Sequence, residues 1–164
     1  MKESLLRIMT ALVMSAAALA ADKTNSEQAF ERLTSLKGEW KGETDGVKTT
    51  LRYTVTANGS ALMEECRPEK GPVMITMFTV DGDHLIATHY CSAKNHPRMK
   101  LEPGSDPTVL RFTFLDATNL SDPQIGHMVG LIVRIADANH HSQEWTFSDH
   151  GKEMTEKFEY HRPM

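Results

Sequence analysis

From residue 39 to the C-terminus, apolar and polar side chains alternate with a period of two in a series of short runs. Alternation of this kind is typical of β-strands whose two faces meet different surroundings. Turn signals interrupt the runs about every ten residues, and this spacing predicts an all-β sandwich or barrel. The turn signals are Asp45-Gly46, Asn58-Gly59, Asp81-Gly82, Pro103-Gly104, Asp137-Ala138-Asn139 and His150-Gly151.

The runs predict ten strands, joined mostly by links that are short enough for hairpins. A succession of hairpins forms a meander, and a meander with an even number of strands can close on itself with every neighbour antiparallel. Closure removes the two exposed edges of an open sheet. We therefore expect an all-β fold, an antiparallel up-and-down β-barrel of about ten strands. The predicted strands lie near residues 39–44, 48–56, 60–66, 73–80, 83–91, 98–102, 109–115, 126–136, 141–148 and 153–161.

One short amphipathic helix is predicted before the strands, and we expect it to cap one end of the barrel. Asn25 is placed to cap the start of the helix, with Gln28 three residues on, and Gly38 to end it. Four apolar residues recur at helical spacing, namely Ala29, Phe30, Leu33 and Leu36.

Residues 1–21 have the features of a cleaved signal peptide. Lys2 and Arg7 give a basic start, and Ala18-Leu19-Ala20 fits the small-x-small pattern of a signal-peptidase site. The apolar stretch between them is shorter than the ~20 residues that a membrane-spanning helix needs. We therefore expect export to the periplasm or the extracellular space, with residues 22–164 forming a single domain.

The charge balance excludes one class of partner. The whole chain has a net charge of −4 at pH 7, and loss of residues 1–21 would make it −5. Nucleic acids favour proteins with a basic stripe, so we expect no nucleic-acid partner. No apolar stretch after residue 21 is long enough to span a membrane, so we expect no membrane span in the mature protein.

The segment Phe30-x-x-Leu33-x-x-Leu36-x-Gly38-x-Trp40-x-Gly42 resembles the opening of the lipocalin and fatty-acid-binding (calycin) superfamily. In that superfamily the helix closes one end of the barrel, and the tryptophan packs beneath the floor of a ligand cavity. A basic residue from the last strand often covers the tryptophan. The resemblance therefore implies structural roles for Gly38 and Trp40, with Arg162 in cation–π contact with the indole. It also implies a small apolar or amphipathic ligand.

Ten strands are more similar to the fatty-acid-binding or nitrobindin-type barrels than to the eight-stranded lipocalins. Nitrobindin-type proteins bind haem iron through a histidine near the C-terminal end. His161 lies near the end of this chain, but its surroundings do not resemble that motif, so no haem ligand is carried over. A haem-like macrocycle stays one variant of the expected ligand, and the sequence itself specifies no cofactor.

Much of the remaining chain resembles exported bacterial proteins without an assigned activity. This resemblance implies an exported barrel but no reaction. The matching stretches are Met77-Phe78-x-x-Asp81-Gly82-Asp83, Thr88-His89-Tyr90-Cys91, Asn95-x-Pro97-Arg98-Met99, Asp116-Ala117-Thr118-Asn119 and Glu144-Trp145.

The end of the fifth predicted strand gathers several reactive side chains. His89, Tyr90 and Cys91 close the strand, and Arg98 follows in the adjoining segment. These residues would bring imidazole, phenol, thiol and guanidinium groups to one end of the barrel, where ligands commonly bind. We predict that all four contact a ligand, and a hydrogen-bonded loop cap anchored by Tyr90 is the structural alternative.

His127 is the fifth predicted ligand contact. On the eighth predicted strand it shares a face with the apolar residues Val129, Leu131 and Val133, which predicts an inward-pointing imidazole. A buried histidine needs a hydrogen-bond partner, so His127 is interpreted either as a polar anchor for a ligand or as a satisfied core residue. Three further histidines fall in predicted turns and are expected to be solvated, namely His140, His141 and His150.

Cys66 and Cys91 are predicted to lie at the same end of the barrel with one strand between them. Two inter-strand spacings separate their Cα atoms by ~9.5 Å, whereas a disulfide needs ~7 Å or less. A straight meander therefore predicts two free, largely buried thiols, although a bent loop would allow the bridge.

Three functions stay open at this stage. The favoured one is a binding module, and the others are a low-rate enzyme using His89, Tyr90 or His127 as acid or base, and a structural barrel with a filled core. The sequence contains no HExxH, paired CxxC or acidic calcium loop, and no Gly-x-Ser-x-Gly or Ser-x-x-Lys. We therefore name no metal site and no catalytic residue.

Overall fold

Ten strands follow one helix along the chain. The computed structural model describes residues 23–104 and 106–163, so the predicted signal peptide lies outside the described residues. A 3-10 turn, Ala57–Gly59, joins β2 to β3. The elements in chain order are α1 (Asn25–Thr34), β1 (Gly38–Thr44), β2 (Val47–Thr56), β3 (Ala61–Pro68), β4 (Met74–Asp81), β5 (His84–Tyr90), β6 (His96–Leu101), β7 (Val109–Thr118), β8 (His127–Ile135), β9 (His140–Asp149) and β10 (Lys152–His161).

The strands close into a barrel in which each strand pairs with its neighbours along the chain and β1 pairs with β10. All of the pairings are antiparallel. The prediction of a ten-stranded antiparallel up-and-down barrel is therefore confirmed. The closing seam is short, because β1 meets β10 only at Lys41↔His161 and Gly42↔Tyr160. Among the described strands, the first eight residues of β10 pair with β9 alone.

The N-cap of helix α1 lies one residue earlier than predicted. Thr24 is the N-cap: its side chain accepts a hydrogen bond from the Glu27 backbone N–H, and the Glu27 carboxylate accepts one from the Thr24 backbone N–H. This reciprocal capping box leaves Asn25 inside the helix, so the prediction of Asn25 as cap was wrong. No helix formed by the described residues is long and apolar enough to cross a membrane.

The helix covers the end of the barrel where β4 turns into β5. The Ser26 hydroxyl donates to the carbonyl of Gly82 in that turn, and Ala29 and Leu33 are buried against the core. Around this end the interior is packed with apolar side chains. The fully buried ones include Leu36, Trp40, Leu51, Leu62, Phe78, Leu85, Met99, Leu110, Phe112 and Leu131.

Trp40 and Arg162 link the start of the barrel to its end. The Trp40 indole N–H donates to the Leu36 carbonyl at 2.6 Å, and the Arg162 guanidinium lies 4.1 Å from the centroid of the Trp40 ring. Arg162 also donates to the carbonyls of Lys37, at 2.7 Å, and Ser35. The cation–π contact that the resemblance implied is thus present, with hydrogen bonds that hold the guanidinium in place.

A bulge in β8 changes the face on which its first residues lie. The register between β8 and β9 shifts between Met128 and Gly130, so that Met128 pairs with Phe147 and Leu131 with Trp145. Met128 and Phe147 line the barrel interior, as the buried Leu131 does. Strict alternation placed His127 on the face of Leu131, and the extra residue of the bulge breaks that alternation.

We predict that Gly38→Ala destabilises the barrel more than Gly46→Ala does. Both glycines have positive φ, +114° and +74°, so both substitutions strain the backbone. A Cβ on Gly38 would also lie 2.5 Å from Arg162 Nη1 and displace the guanidinium, whereas a Cβ on Gly46 meets nothing within 4 Å. Urea unfolding should give a loss at Gly38 that is larger by about 1–2 kcal/mol, the worth of the displaced contacts. Equal losses would contradict a structural role for the Arg162 contact.

Candidate functional site

The barrel is hollow at the end opposite the helix. A cavity of about 600 Å³ opens there between the start of β4, the segment after β5, and strands β8 to β10. Its walls are mostly apolar, and its polar side chains are few. The apolar walls include Met74, Met128, Trp145, Phe147, Phe158 and Tyr160, and the polar residues include Thr49, Glu64, His89, Gln143 and Glu156.

Four polar residues form a row across adjacent strands, and two of them, Glu64 and His89, line the cavity. Tyr53 of β2 lies opposite Glu64 of β3, Glu64 lies opposite Thr76 of β4, and Thr76 lies opposite His89 of β5. All four side chains are buried. We call Tyr53, Glu64, Thr76 and His89 the polar row. Side chains directly opposite each other on antiparallel strands are close enough to interact, so the register itself creates the row.

Glu64 is the centre of a buried hydrogen-bond network. The Gln143 amide donates to Glu64 Oε2 at 2.5 Å and to Tyr53 Oη at 2.9 Å, and the Trp145 indole N–H donates to Gln143 Oε1 at 2.9 Å. Burial raises the pKa of Glu64 to about 7, and hydrogen bonds from Tyr53, Gln143 and Thr76 oppose that rise. A buried carboxyl that titrates near neutrality is a common feature of functional sites.

His89 has one satisfied and one unsatisfied ring nitrogen. Its Nδ1 lies 3.0 Å from Thr76 Oγ1 in a hydrogen bond, while its Nε2 is buried with no partner among the described residues. The ring packs against Trp145 with 4.6 Å between centroids. Burial lowers the pKa of His89 to about 4, so the imidazole is neutral at physiological pH. A neutral imidazole with an open nitrogen can bind a hydrogen-bonding group or coordinate a metal.

Two of the residues predicted at the end of the fifth strand line the cavity, and two do not. His89 and Cys91 are part of its wall. Tyr90 lies on the other face of β5, is 46% exposed and packs its ring against His96. Arg98 forms a two-pronged ion pair with Asp116 on the barrel surface. Strand alternation points the side chains of Tyr90 and Arg98 outward, so the predicted ligand contacts of these two residues do not lie on the cavity wall.

His127 is buried but does not line the cavity, which also differs from the prediction. Its Nδ1 lies 2.7 Å from the Ile125 carbonyl oxygen, and its ring packs 5.1 Å from the ring of Phe114. The β8 bulge places Met128 in the cavity wall instead. In this position the His127 imidazole has a backbone hydrogen-bond partner and lies away from the cavity wall.

His141 was expected in a solvated turn and is instead part of the core. Its ring packs against Trp40, Tyr53 and Tyr160, and its Nε2 lies 3.3 Å from Tyr53 Oη. Burial, together with the charge of Arg162, lowers the pKa of His141 to about 3. His141 lies on the same face of β9 as the buried Gln143 and Trp145, so the alternation of the strand carries its first residues into the core.

The two cysteines are free thiols on the cavity wall, and both are half-buried. Cys66 of β3 lies opposite Met74 of β4, and β4 pairs on its other side with β5, which leads to Cys91. One strand therefore lies between the two cysteines. Burial, with the nearby charge of Glu64, raises the pKa of Cys66 to about 12, so this thiol is a poor nucleophile.

The centre of the site was missed by sequence reasoning. Glu64, Thr76 and Gln143 were not singled out, although one signal pointed to the first of them. In β3 the inward positions are Leu62, Glu64 and Cys66, so a lone carboxylate stands on an otherwise apolar strand face. Such a residue needs buried partners, and these come from strands far away in the sequence.

The site contains little that could hold a metal ion. Across residues 23–104 and 106–163, no three histidine, cysteine or acidic side chains lie close enough together to hold one. His89 is thus a single nitrogen ligand without protein co-ligands of these types.

Comparison with known proteins shows a shared fold. Neither the protein-family models nor the curated proteins include a match to this sequence. A DUF3598-family protein of unknown function from Nostoc punctiforme has a TM-score of 0.55 at 15% identity over 80% of this chain, and the match spans 49% of that protein, about half its length. Rv2717c from M. tuberculosis has a TM-score of 0.54 at 14% identity, and the match covers 83% of this chain and 98% of that one. Identities this low establish the barrel fold but carry no function across.

We predict that Glu64→Gln removes a pH-dependent part of the stability. Between pH 4.5 and 7 the folded chain keeps a proton on Glu64 that the unfolded chain releases, so the contribution of Glu64 to the free energy of unfolding falls as the pH rises. Urea unfolding should show the stability difference, wild type minus variant, decreasing by about 3 kcal/mol over that range. Taking the difference cancels the titration of His89 and His141, which both proteins share.

Glu65→Gln is the matched control for this measurement. Glu65 is the next residue of β3, and a hydrogen bond from Arg67 lowers its pKa. A lowered carboxyl pKa changes stability mainly below pH 4.5, so the Glu65 stability difference should stay nearly constant between pH 4.5 and 7. A Glu64 difference that stays constant between pH 4.5 and 7.5 would show that the carboxyl has no raised pKa.

Proposed function

We propose that this barrel is an exported binding module for a small, apolar or amphipathic molecule without net negative charge. The molecule would lie in the cavity at the open end of the barrel, with its polar group against the polar row. A volume of about 600 Å³ is within the range of sites for drug-sized ligands. The resemblance to lipocalin and fatty-acid-binding proteins, which hold ligands inside the barrel, favours the same function by analogy.

The unpartnered Nε2 of His89 is the observation that carries this proposal. It is a buried polar atom on the wall of a cavity, and its ring is only 4% exposed. Buried polar atoms in folded proteins nearly always have a hydrogen-bond partner, and leaving one unpaired costs about 1–3 kcal/mol. A ligand with a polar group at this point would supply the partner that the protein does not.

The charges around the cavity restrict the class of ligand. Glu64 and Glu156 are acidic, and among the described residues that line the cavity there is no lysine or arginine. An anionic ligand would therefore find repulsion and no counter-ion. Neutral or cationic amphipathic molecules fit this lining better.

The same charges argue against the haem variant. An imidazole nitrogen is the usual axial ligand of haem iron, and His89 offers one. The two haem propionates, however, need cationic or hydrogen-bond donor groups, and the described lining supplies no arginine or lysine. His161 pairs with Lys41 at the barrel seam and is exposed, outside the cavity. The residues therefore fit a neutral ligand and not haem.

Export is proposed on the N-terminal sequence alone. The basic start, the apolar stretch and the Ala18-Leu19-Ala20 pattern support a cleaved signal peptide. Mass spectrometry of the mature protein from its source would test this, because cleavage after Ala20 or Ala21 leaves a chain that starts at Ala21 or Asp22.

We predict that the neutral fluorescent probe N-phenyl-1-naphthylamine binds the barrel saturably at one equivalent. Its amine N–H can donate to His89, and its rings match the apolar walls. The related sulfonate, 1-anilinonaphthalene-8-sulfonate, should bind at least about tenfold more weakly, since one uncompensated charge contact costs about 1.4 kcal/mol or more. Titration followed by probe fluorescence measures both affinities.

Two tryptophan variants locate the binding site. Ala93 is an exposed loop residue on the cavity wall, so Ala93→Trp should narrow the mouth and weaken probe binding about tenfold. Ala138→Trp adds the same side chain at an exposed turn outside the cavity, so it should leave probe binding unchanged. Absence of saturable probe binding, or equal loss in both variants, would overturn the proposal. If the protein with added haemin shows a Soret band that depends on His89, the proposed neutral ligand is wrong and a macrocycle takes its place in the proposal.

A further inference from the structure

Thr76 stands between the two titratable groups of the polar row. Its side chain is buried, and its Oγ1 lies 3.0 Å from His89 Nδ1 in a hydrogen bond. Thr76 also lies directly opposite Glu64 in the register of β3 and β4, and its hydroxyl acts on the Glu64 carboxyl in the direction of a hydrogen bond, which lowers the pKa of that group. A threonine hydroxyl has one hydrogen to donate and can accept through its oxygen. The direction of the Glu64–Thr76 hydrogen bond therefore decides the direction of the Thr76–His89 hydrogen bond.

The ionised form of Glu64 permits one arrangement of these hydrogens. A carboxylate only accepts, so the Thr76 hydroxyl donates to Glu64. The oxygen of Thr76 then accepts from His89, which must carry its ring proton on Nδ1. In this arrangement Nε2 of His89 is a hydrogen-bond acceptor.

The protonated form of Glu64 reverses the direction of both bonds. Gln143 and Tyr53 both donate to the Glu64 carboxyl, and the Tyr53 oxygen itself accepts from the Gln143 amide, so the Thr76 oxygen is the acceptor left for the added proton. The Thr76 hydroxyl then donates to Nδ1 of His89, and a neutral imidazole that accepts at Nδ1 carries its proton on Nε2. Net uptake is one proton from solvent at Glu64, and His89 keeps one ring proton, which moves between its nitrogens by exchange with solvent.

We propose that Glu64, Thr76 and His89 act as a proton-linked switch, in which protonation of Glu64 converts the unpartnered Nε2 of His89 from a hydrogen-bond acceptor into a donor. The pKa of Glu64, which burial raises to about 7, places this switch near neutral pH. His89 itself stays neutral through that range because burial lowers its pKa to about 4.

Four ionisable groups near Glu64 have pKa values that burial moves away from neutral pH. On β2 and β10, burial raises the pKa of Tyr53 and of Tyr160, and on β3 it raises the pKa of Cys66. On β9, burial lowers the pKa of His141 to about 3. Glu156 of β10 stands at the mouth of the cavity, where its charge acts on Tyr160.

The functional consequence of the switch rests on the proposed function, because the state of His89 determines which ligands the cavity binds more tightly. Above pH 7 the site should favour ligands that present an N–H or O–H group to His89. Below pH 7 it should favour ligands that present a carbonyl or ether oxygen. N-phenyl-1-naphthylamine, which donates, should bind about fivefold more tightly at pH 8 than at pH 6, the value of one hydrogen bond.

The switch is tested in the ligand-free protein by nuclear magnetic resonance. Two-bond ¹H–¹⁵N correlation spectra of protein labelled at histidine distinguish the two tautomers, and ¹³C spectra of labelled glutamate follow Glu64. Between pH 8.5 and 5.5 the His89 tautomer should change from Nδ1–H to Nε2–H with the midpoint of the Glu64 titration. If the His89 tautomer stays constant while Glu64 titrates, the switch is overturned. This outcome can be observed in the wild-type protein without any substitution.

Substitutions at the two other positions test the route. Thr76→Val keeps the shape but removes the hydroxyl, so Glu64 should still titrate while the His89 tautomer stops responding. Thr76→Ser restores the hydroxyl and should restore the response, and Glu64→Gln should leave one tautomer at every pH. A response that persists in Thr76→Val would show that the coupling does not pass through Thr76.

The two proposals fail separately. If the His89 tautomer changes with pH but the probe does not bind, the binding function is refuted and the switch stands. Saturable probe binding with a constant tautomer would refute the switch and leave the binding function.

Discussion

Closure of the barrel depends on a short contact between its first and last strands. β1 meets β10 at two register positions, whereas β10 pairs with β9 along its whole length. Arg162, just beyond β10, strengthens this seam by lying over Trp40 and donating to carbonyls of the segment that follows the helix. Because β1 is short, the early part of β10 stands beyond the β1–β2 hairpin, and side chains from that part of β10 line the cavity. The helix covers one end of the barrel, and the mismatch in strand length leaves the other end open.

Burying the polar row costs free energy that an apolar interior would not. A carboxyl buried in an apolar interior loses its hydration, and the raised pKa of Glu64 records that loss. A leucine in its place would pack against neighbours of the same kind, as Leu62 does two residues earlier. Four side chains from three other strands instead surround Glu64 and His89 with hydrogen bonds and ring contacts, namely Tyr53, Thr76, Gln143 and Trp145. Polar groups retained at such a cost commonly serve a function.

The similar structures place this chain among barrels of its shape, and the shape alone does not assign a ligand. At 14–15% identity the interior side chains are free to differ, and the interior side chains are what a ligand meets. What bears on ligand binding in this barrel is therefore local. It is the combination of an open cavity with acidic groups, no lysine or arginine among its described lining residues, and one buried imidazole nitrogen without a partner.

The sequence by itself determined the ten strands, the helix and the Trp40 segment, because alternation, turn residues and helical spacing are properties of neighbours along the chain. It also identified His89 and Cys91 as residues of the open end. Only the tertiary structure decided that His127 leaves the interior through a bulge and that His141 enters it. The polar row likewise could not be predicted, since its members come from four strands. Their meeting depends on the register of each strand with the next, and register is set by bulges, turns and closure of the whole barrel.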